Sequence, residues 1–174
     1  MHYTGSDVLR LECKDISVWR PFLEVTDRLL DGEGSGSVRF RSLIVLASQG
    51  GDRRIDLANT QRLLAEAVWY PAFLASPTVT WAHVTDRCAR ASIDVDGVSA
   101  SVDFHFSDDA EVVKISSGGR WRRVGTEYQL YAWEARIGAY QRLKGIAIPA
   151  EAQVGWYENG EWQCVWRASV KPVV

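Results

Sequence analysis

Alternation of apolar and polar residues through the second half of the chain is the feature that most restricts its fold. Between residues 89 and 106 the apolar positions fall on every second residue, and Asp96-Gly97 interrupts the pattern. Successive side chains of a β-strand point to opposite faces, so this period predicts strands with one buried face. Asp-Gly and the later Asn159-Gly160 are typical of two-residue hairpin turns. We therefore predict a series of antiparallel hairpins, including a long strand over 128–140.

One helix precedes these hairpins. Apolar residues around Leu64 and Val68 recur at helical spacing, and either Asp56 or Asn59 is suited to the N-cap position. Pro71 has no amide hydrogen, so it should end or kink the helix near residues 69–70.

The predicted fold follows from these elements. About ten strands are near the limit of an open twisted sheet, so the sheet should curl. We predict a single domain over residues 1–174 of the α+β class, dominated by β-structure. A large, curved, half-barrel-like antiparallel sheet should wrap on the one principal helix, which we expect over 59–70.

Charge and cysteine content limit the partners of the chain. Its 20 Lys and Arg residues nearly balance 22 Asp and Glu residues, for a net charge of -2, so no basic face for nucleic acid is expected. No apolar run approaches the ~18 residues of a membrane span, and the N-terminus lacks signal-peptide features. The three cysteines lie far apart, and the three histidines show no metal-ligand spacing. We predict a cytoplasmic protein without metal or cofactor.

Several separated motifs resemble one bacterial family. Residues 64–71 read L-A-E-A-V-W-Y-P, residues 133–136 read W-E-A-R, and an I-P pair follows at 148–149. These motifs resemble those of uncharacterised bacterial proteins known only as a domain of unknown function, from about Asp27 to Val170. Ala135 stands where that family usually has Gly. The resemblance implies an open curved sheet on a helix, similar to bacterial lipoprotein-carrier half-barrels, and implies no activity.

Two residues are candidates for acid–base catalysis. Glu66 would lie among aromatic residues on the helix, where a carboxylate can act as a general acid or base. Its ordinary interpretation is an ion pair with Arg62, or with a strand arginine such as Arg39 or Arg41. His105 shares a strand face with Ser101 and Asp103, but alternate strand residues are ~6.6 Å apart, too far for a catalytic triad. A solvated strand face is the ordinary interpretation of these three residues.

The aromatic residues point to a ligand site. Eight Trp and six Tyr are many for this length, and ligand pockets are often aromatic with a few polar anchors. Because strand faces alternate, Glu134 and Arg136 share a face opposite Trp133; on a concave face they would anchor a ligand, and on a convex face they would form a surface ion pair. The predicted ligand-binding residues are Trp69, Tyr70, Phe73, Trp133, Glu134, Arg136, Tyr140 and Trp156.

Three functions remain open at this point. The first is binding of an apolar or aromatic small molecule in a pocket between sheet and helix. The second is a small ester-type hydrolase with Glu66 or a histidine as general base, and water or a nearby serine as nucleophile. The third is a structural protein whose tryptophans fill a wide core. The shape of the interior should distinguish them.

Overall fold

The computed structural model describes residues 23–30, 33–40, 44–95, 97–143 and 145–170, with side chains for 51–95, 97–142 and 145–170. The first three strands of the described part are β1 (Leu23–Leu30), β2 (Glu33–Phe40) and β3 (Ile44–Gly50). The helical segment consists of α1 (Arg53–Glu66), a 3₁₀ turn (Ala67–Trp69) and α2 (Pro71–Leu74). Seven strands follow: β4 (Thr80–Thr85), β5 (Cys88–Val95), β6 (Val98–Phe106), β7 (Val112–Val124), β8 (Glu127–Leu143), β9 (Ile146–Glu158) and β10 (Glu161–Ser169).

All described strand pairs are antiparallel, and they form two sheets. Strands β1 to β3 make a three-stranded meander, and β4 to β10 make a seven-stranded sheet in which neighbours in sequence are neighbours in space. The β-dominated α+β fold with an open sheet and one main helix is thereby confirmed. The division into two sheets was not predicted, and neither was β4, whose segment has no clean alternation.

Helix α1 begins earlier than predicted. Asp52 has an extended backbone, and its carboxylate accepts a hydrogen bond of 2.8 Å from the amide of Arg54, so Asp52 is the N-cap. The prediction of Asp56 or Asn59 as the cap was wrong, because both lie within the helix. The effect of Pro71 is confirmed: α1 ends at Glu66, and Pro71 opens a separate short helix.

The core lies between α1 and one face of the seven-stranded sheet. Leu64 on the helix, Phe104 on β6 and Ile115 on β7 are each fully buried there. The burial predicted for Leu64 and Val68 is confirmed. Among the described helices, none is long and apolar enough to cross a membrane.

An opening between β6 and β7 determines where α1 sits. The two strands pair only where Asp103 to Phe106 meet Val112 to Ser116, and β7 then continues beside β8 as far as Val124. The helix spans the divergence: the Gln61 amide donates to Ser117 Oγ at 3.1 Å, and Arg120 Nε donates to the Ala58 carbonyl at 3.0 Å. Two cavities flank the helix at this opening.

Candidate functional site

A pocket of about 320 Å³ lies between the first turns of α1 and the sheet. We call it the helix–sheet pocket. Three apolar side chains form much of its wall, with one arginine pair at the helix end and one turn of backbone at the sheet end. Its lining residues are Arg53, Arg54, Leu57, Gly97, Val98, Ser99 and Trp121.

Arg54 is held in place by a carboxylate and two aromatic rings. Its Nη2 lies 2.6 Å from Asp52 Oδ2, and its guanidinium carbon lies 4.6 Å from the centre of the Tyr128 ring and 5.8 Å from that of the Trp121 ring. The hydrogen bonds from Arg54 lower the pKa of Asp52 to about 2. The pair therefore stays ionised at neutral pH and fixes this wall.

The opposite wall is the turn between β5 and β6. Asp94 accepts hydrogen bonds from the Gly97 amide at 2.9 Å and the Ser99 hydroxyl at 2.5 Å, and these bonds lower the Asp94 pKa. Gly97 has φ of 79°, which suits glycine. Arg53 Nη2 donates to the Gly97 carbonyl at 3.0 Å, joining helix and turn across the pocket. The pocket is thus formed by hydrogen-bonded elements on both sides.

Two of the predicted ligand-binding residues are core residues. Trp133 is 3% exposed and Trp156 is 8% exposed, and both belong to the cluster under α1. The Arg120 guanidinium lies 5.4 Å and 5.3 Å from their ring centres, a cation–π arrangement on the helix side of the sheet. Both rings therefore belong to the hydrophobic core, and neither lines the helix–sheet pocket.

Four further predicted residues lie outside the helix–sheet pocket, and three of them follow α1 directly. Trp69 donates to the Pro149 carbonyl at 3.0 Å, and Phe73 packs against the core. Tyr140 donates to the Val112 carbonyl at 2.9 Å, and burial raises its pKa to about 12. Tyr70 is 44% exposed. None of these four residues lines the helix–sheet pocket, and Trp69, Tyr70 and Phe73 follow the C-terminal end of α1 rather than its first turns.

Glu134 and Arg136 point away from the helix. The Glu134 carboxylate accepts hydrogen bonds from Arg136 Nε at 2.8 Å and from the Tyr157 hydroxyl at 2.9 Å, and Lys114 Nζ lies 3.8 Å away. The Arg136 guanidinium carbon lies 3.7 Å from the Trp162 ring centre. The carboxylate is nonetheless buried, so this is a hydrogen-bonded network on the outer face rather than an anchor facing α1.

The two candidate catalytic residues have different surroundings. Glu66 lies 3.4 Å from Arg62, and its side chain is 43% exposed. His105 Nε2 lies 2.9 Å from the Ser116 hydroxyl on the neighbouring strand, and burial, with Lys114 nearby, lowers its pKa. Asp103 is bonded to Arg90 instead of to His105.

Ser116 also borders a second cavity, of about 250 Å³, in the opening between β6 and β7. We call it the polar cavity, because its walls are almost entirely polar. Its lining residues are Gln61, Arg90, Ser101, Val102, Asp103, Ser116, Ser117, Gly118 and Gly119.

Sequence reasoning missed most of the helix–sheet pocket. Arg53, Leu57 and Val98 are unremarkable in the sequence, and only the fold brings them together. Trp121 was the one available signal, since it interrupts a run of arginines at 120–123. From the sequence, this run could contact a phosphate or stack on a nucleic-acid base, and a charged sheet edge explains the same pattern better.

The described part of the chain thus has a β-dominated α+β fold in which one main helix is held against an open antiparallel sheet. A model of a family of unknown function (DUF6544) matches residues 7–168, and the chain belongs to that family. The expected resemblance to an uncharacterised family is therefore confirmed. No curated protein and no solved structure gave a significant match.

Proposed function

We propose that the domain binds a small molecule with an aromatic or apolar body in the helix–sheet pocket. The observation that supports this most is a pocket of about 320 Å³ between helix and sheet with a tryptophan in its wall. Ligand pockets of this size commonly combine apolar walls with a few fixed polar groups. The hydrogen bonds of Asp52 and Asp94 hold both walls before any ligand arrives.

The lining suggests how such a ligand lies. Trp121 offers a ring for stacking, and Leu57 and Val98 offer aliphatic contacts. Arg53 donates one of its five N–H groups to the Gly97 carbonyl. The remaining N–H groups can donate to a carboxylate or carbonyl of a ligand at the mouth of the pocket. The best-fitting ligand is therefore a flat aromatic body with one acceptor group.

A titration with naphthalene-1-carboxylate tests this proposal. Binding should be saturable, and Trp121→Leu should weaken it about tenfold, since stacking and burial are both lost. Leu130→Ala is the matched control, because Leu130 is 55% exposed and pairs with Trp121 across β7 and β8 outside the pocket. Equal affinities in the two variants, or no saturable binding to the parent, would contradict the proposal.

Uncharged naphthalene-1-methanol tests the role of Arg53. Arg53→Gln should weaken the carboxylate about threefold and leave the alcohol unchanged, because only the carboxylate uses the positive charge. Arg123→Gln removes a neighbouring charge outside the pocket and should affect neither ligand. An equal effect on both ligands would remove Arg53 from the proposed site.

One observation favours a second candidate, the ester-type hydrolase. Ser116 Oγ and His105 Nε2 are 2.9 Å apart, as a nucleophile and its general base must be. The lowered pKa of His105 keeps the ring neutral, the form that can take up a proton. Glu66 is the weaker alternative base, since it faces Arg62 in a half-exposed ion pair.

Hydrolysis of p-nitrophenyl acetate distinguishes this candidate. The rate should fall at least about a hundredfold in His105→Gln and stay unchanged in His83→Gln, a histidine that is 76% exposed. A serine-reactive fluorophosphonate should label the parent and not Ser116→Ala. A rate that is the same in parent and His105→Gln would exclude this role.

A further inference from the structure

Gln61 has an unusual hydrogen-bonding state within the polar cavity. The side chain is 6% exposed, and its Nε2 donates to Ser117 Oγ at 3.1 Å and to the Gly119 carbonyl at 3.2 Å. Because a backbone carbonyl can only accept, the orientation of the amide is fixed. Its Oε1 is then a buried acceptor without a hydrogen-bond partner in the described part of the chain. Such a group is costly unless something donates to it.

The other side chains of the polar cavity include both hydrogen-bond donors and hydrogen-bond acceptors. Arg90 and Asp103 form a two-bond fork, with Nε–Oδ1 at 2.6 Å and Nη2–Oδ2 at 2.8 Å, so their charges cancel. The hydroxyls of Ser101 and Ser116 line the same space. A volume of about 250 Å³ is far more than one ordered water needs.

We propose that the polar cavity binds a neutral polyhydroxylated small molecule, a polyol or a sugar. A hydroxyl group can donate to Asp103 and accept from a serine or from Arg90, and several hydroxyls can do so together. An anion would meet Asp103, and a cation would meet Arg90. An apolar molecule would cover these polar groups without offering them a hydrogen bond. The inference is independent of the helix–sheet pocket, which is lined by different residues.

The side-chain NH₂ of Gln61 reports on this site directly. In ¹⁵N–¹H spectra its pair of signals is assigned by its absence from Gln61→Met. Glycerol, erythritol and glucose are the probes, with sodium sulfate and cyclohexane-1-carboxylate as charged and apolar comparisons. At least one polyol should shift the Gln61 signals saturably, and both comparisons should leave them in place.

Two serine variants separate a specific site from a general solvent effect. Ser101→Ala removes a hydroxyl of the cavity and should weaken the polyol about fivefold. Ser92→Ala is the matched control, because Ser92 pairs with Ser101 across β5 and β6 but lies outside the cavity. Non-saturable shifts, shifts from sulfate or the carboxylate instead, or equal affinities in the two serine variants would each overturn the proposal.

Discussion

Adjacent leucines on α1 offer a direct test of how the helix is seated. Leu64 is fully buried under the seven-stranded sheet, whereas Leu63 is 39% exposed. Replacement of leucine by alanine removes three carbons, worth about 2.4 kcal/mol of transfer free energy when fully buried. The cavity left at Leu64 adds to this, so we expect Leu64→Ala to lower the free energy of unfolding by about 3.5 kcal/mol.

Leu63→Ala is the matched control, with the same substitution one residue away. About 60% of Leu63 is buried and no enclosed cavity forms, so we expect a loss of about 1.4 kcal/mol. Urea denaturation followed by circular dichroism measures both losses, and Tm should fall by about 10 °C for Leu64→Ala and about 4 °C for Leu63→Ala. Losses that agree within about 1 kcal/mol would refute this seating of the helix.

Three other changes test separate parts of the structure. Glu66→Gln should change stability by less than about 0.5 kcal/mol, because its pair with Arg62 is half exposed; a loss near 3 kcal/mol would mean a buried pair. Because burial holds the pKa of His105 below 6.5, the unfolded chain gains that proton first as pH falls, so stability drops below pH 6.5. Between about pH 7 and about pH 5, the Tm of His105→Gln should therefore fall less than the Tm of the parent, and an equal fall in both would contradict this. Gly155→Ala should cost about 2 kcal/mol in urea denaturation, since the new Cβ would clash with the backbone oxygen of Gln163 on β10, whereas Gly118→Ala meets nothing within 4 Å; equal costs would refute that close approach.

Local patterns predicted much of the fold because they reflect local geometry. The alternation through β5 and β6 and the Asn159-Gly160 turn, with φ of 53° and 82°, are properties of adjacent residues. The start of α1 was mistaken because Asp56 and Asn59 also suit a cap, whereas the capping carboxylate is that of Asp52, four residues or more upstream of both. Leu9, Leu11 and Cys13 alternate with three charged residues and predict a further strand, over residues 9–14, which lies outside the described residues.

The candidate site was harder to predict because it depends on long-range register. Alternation correctly placed Trp133 on the face opposite Glu134 and Arg136, but it could not say which face meets the helix. The opening between β6 and β7 arises where their pairing stops after Ser116, and no local pattern marks that point. The helix–sheet pocket and the polar cavity both depend on this opening.

Prediction of the compartment rests on sequence alone, and so does the expectation that nucleic acid is not a partner. Both remain predictions of the charge balance and the N-terminal composition. The binding proposal, by contrast, depends on a named location within the fold. Its most direct test is therefore where a bound aromatic molecule lies.

Intermolecular nuclear Overhauser effects between naphthalene-1-carboxylate and the protein provide that measurement. We expect cross-peaks from the naphthalene protons to the Trp121 indole and to the methyl groups of Leu57 and Val98, which line the helix–sheet pocket. Cross-peaks to Tyr70 and Phe73 instead would place the ligand at the other end of α1. That result would contradict the proposed site and restore the location that the sequence alone predicted.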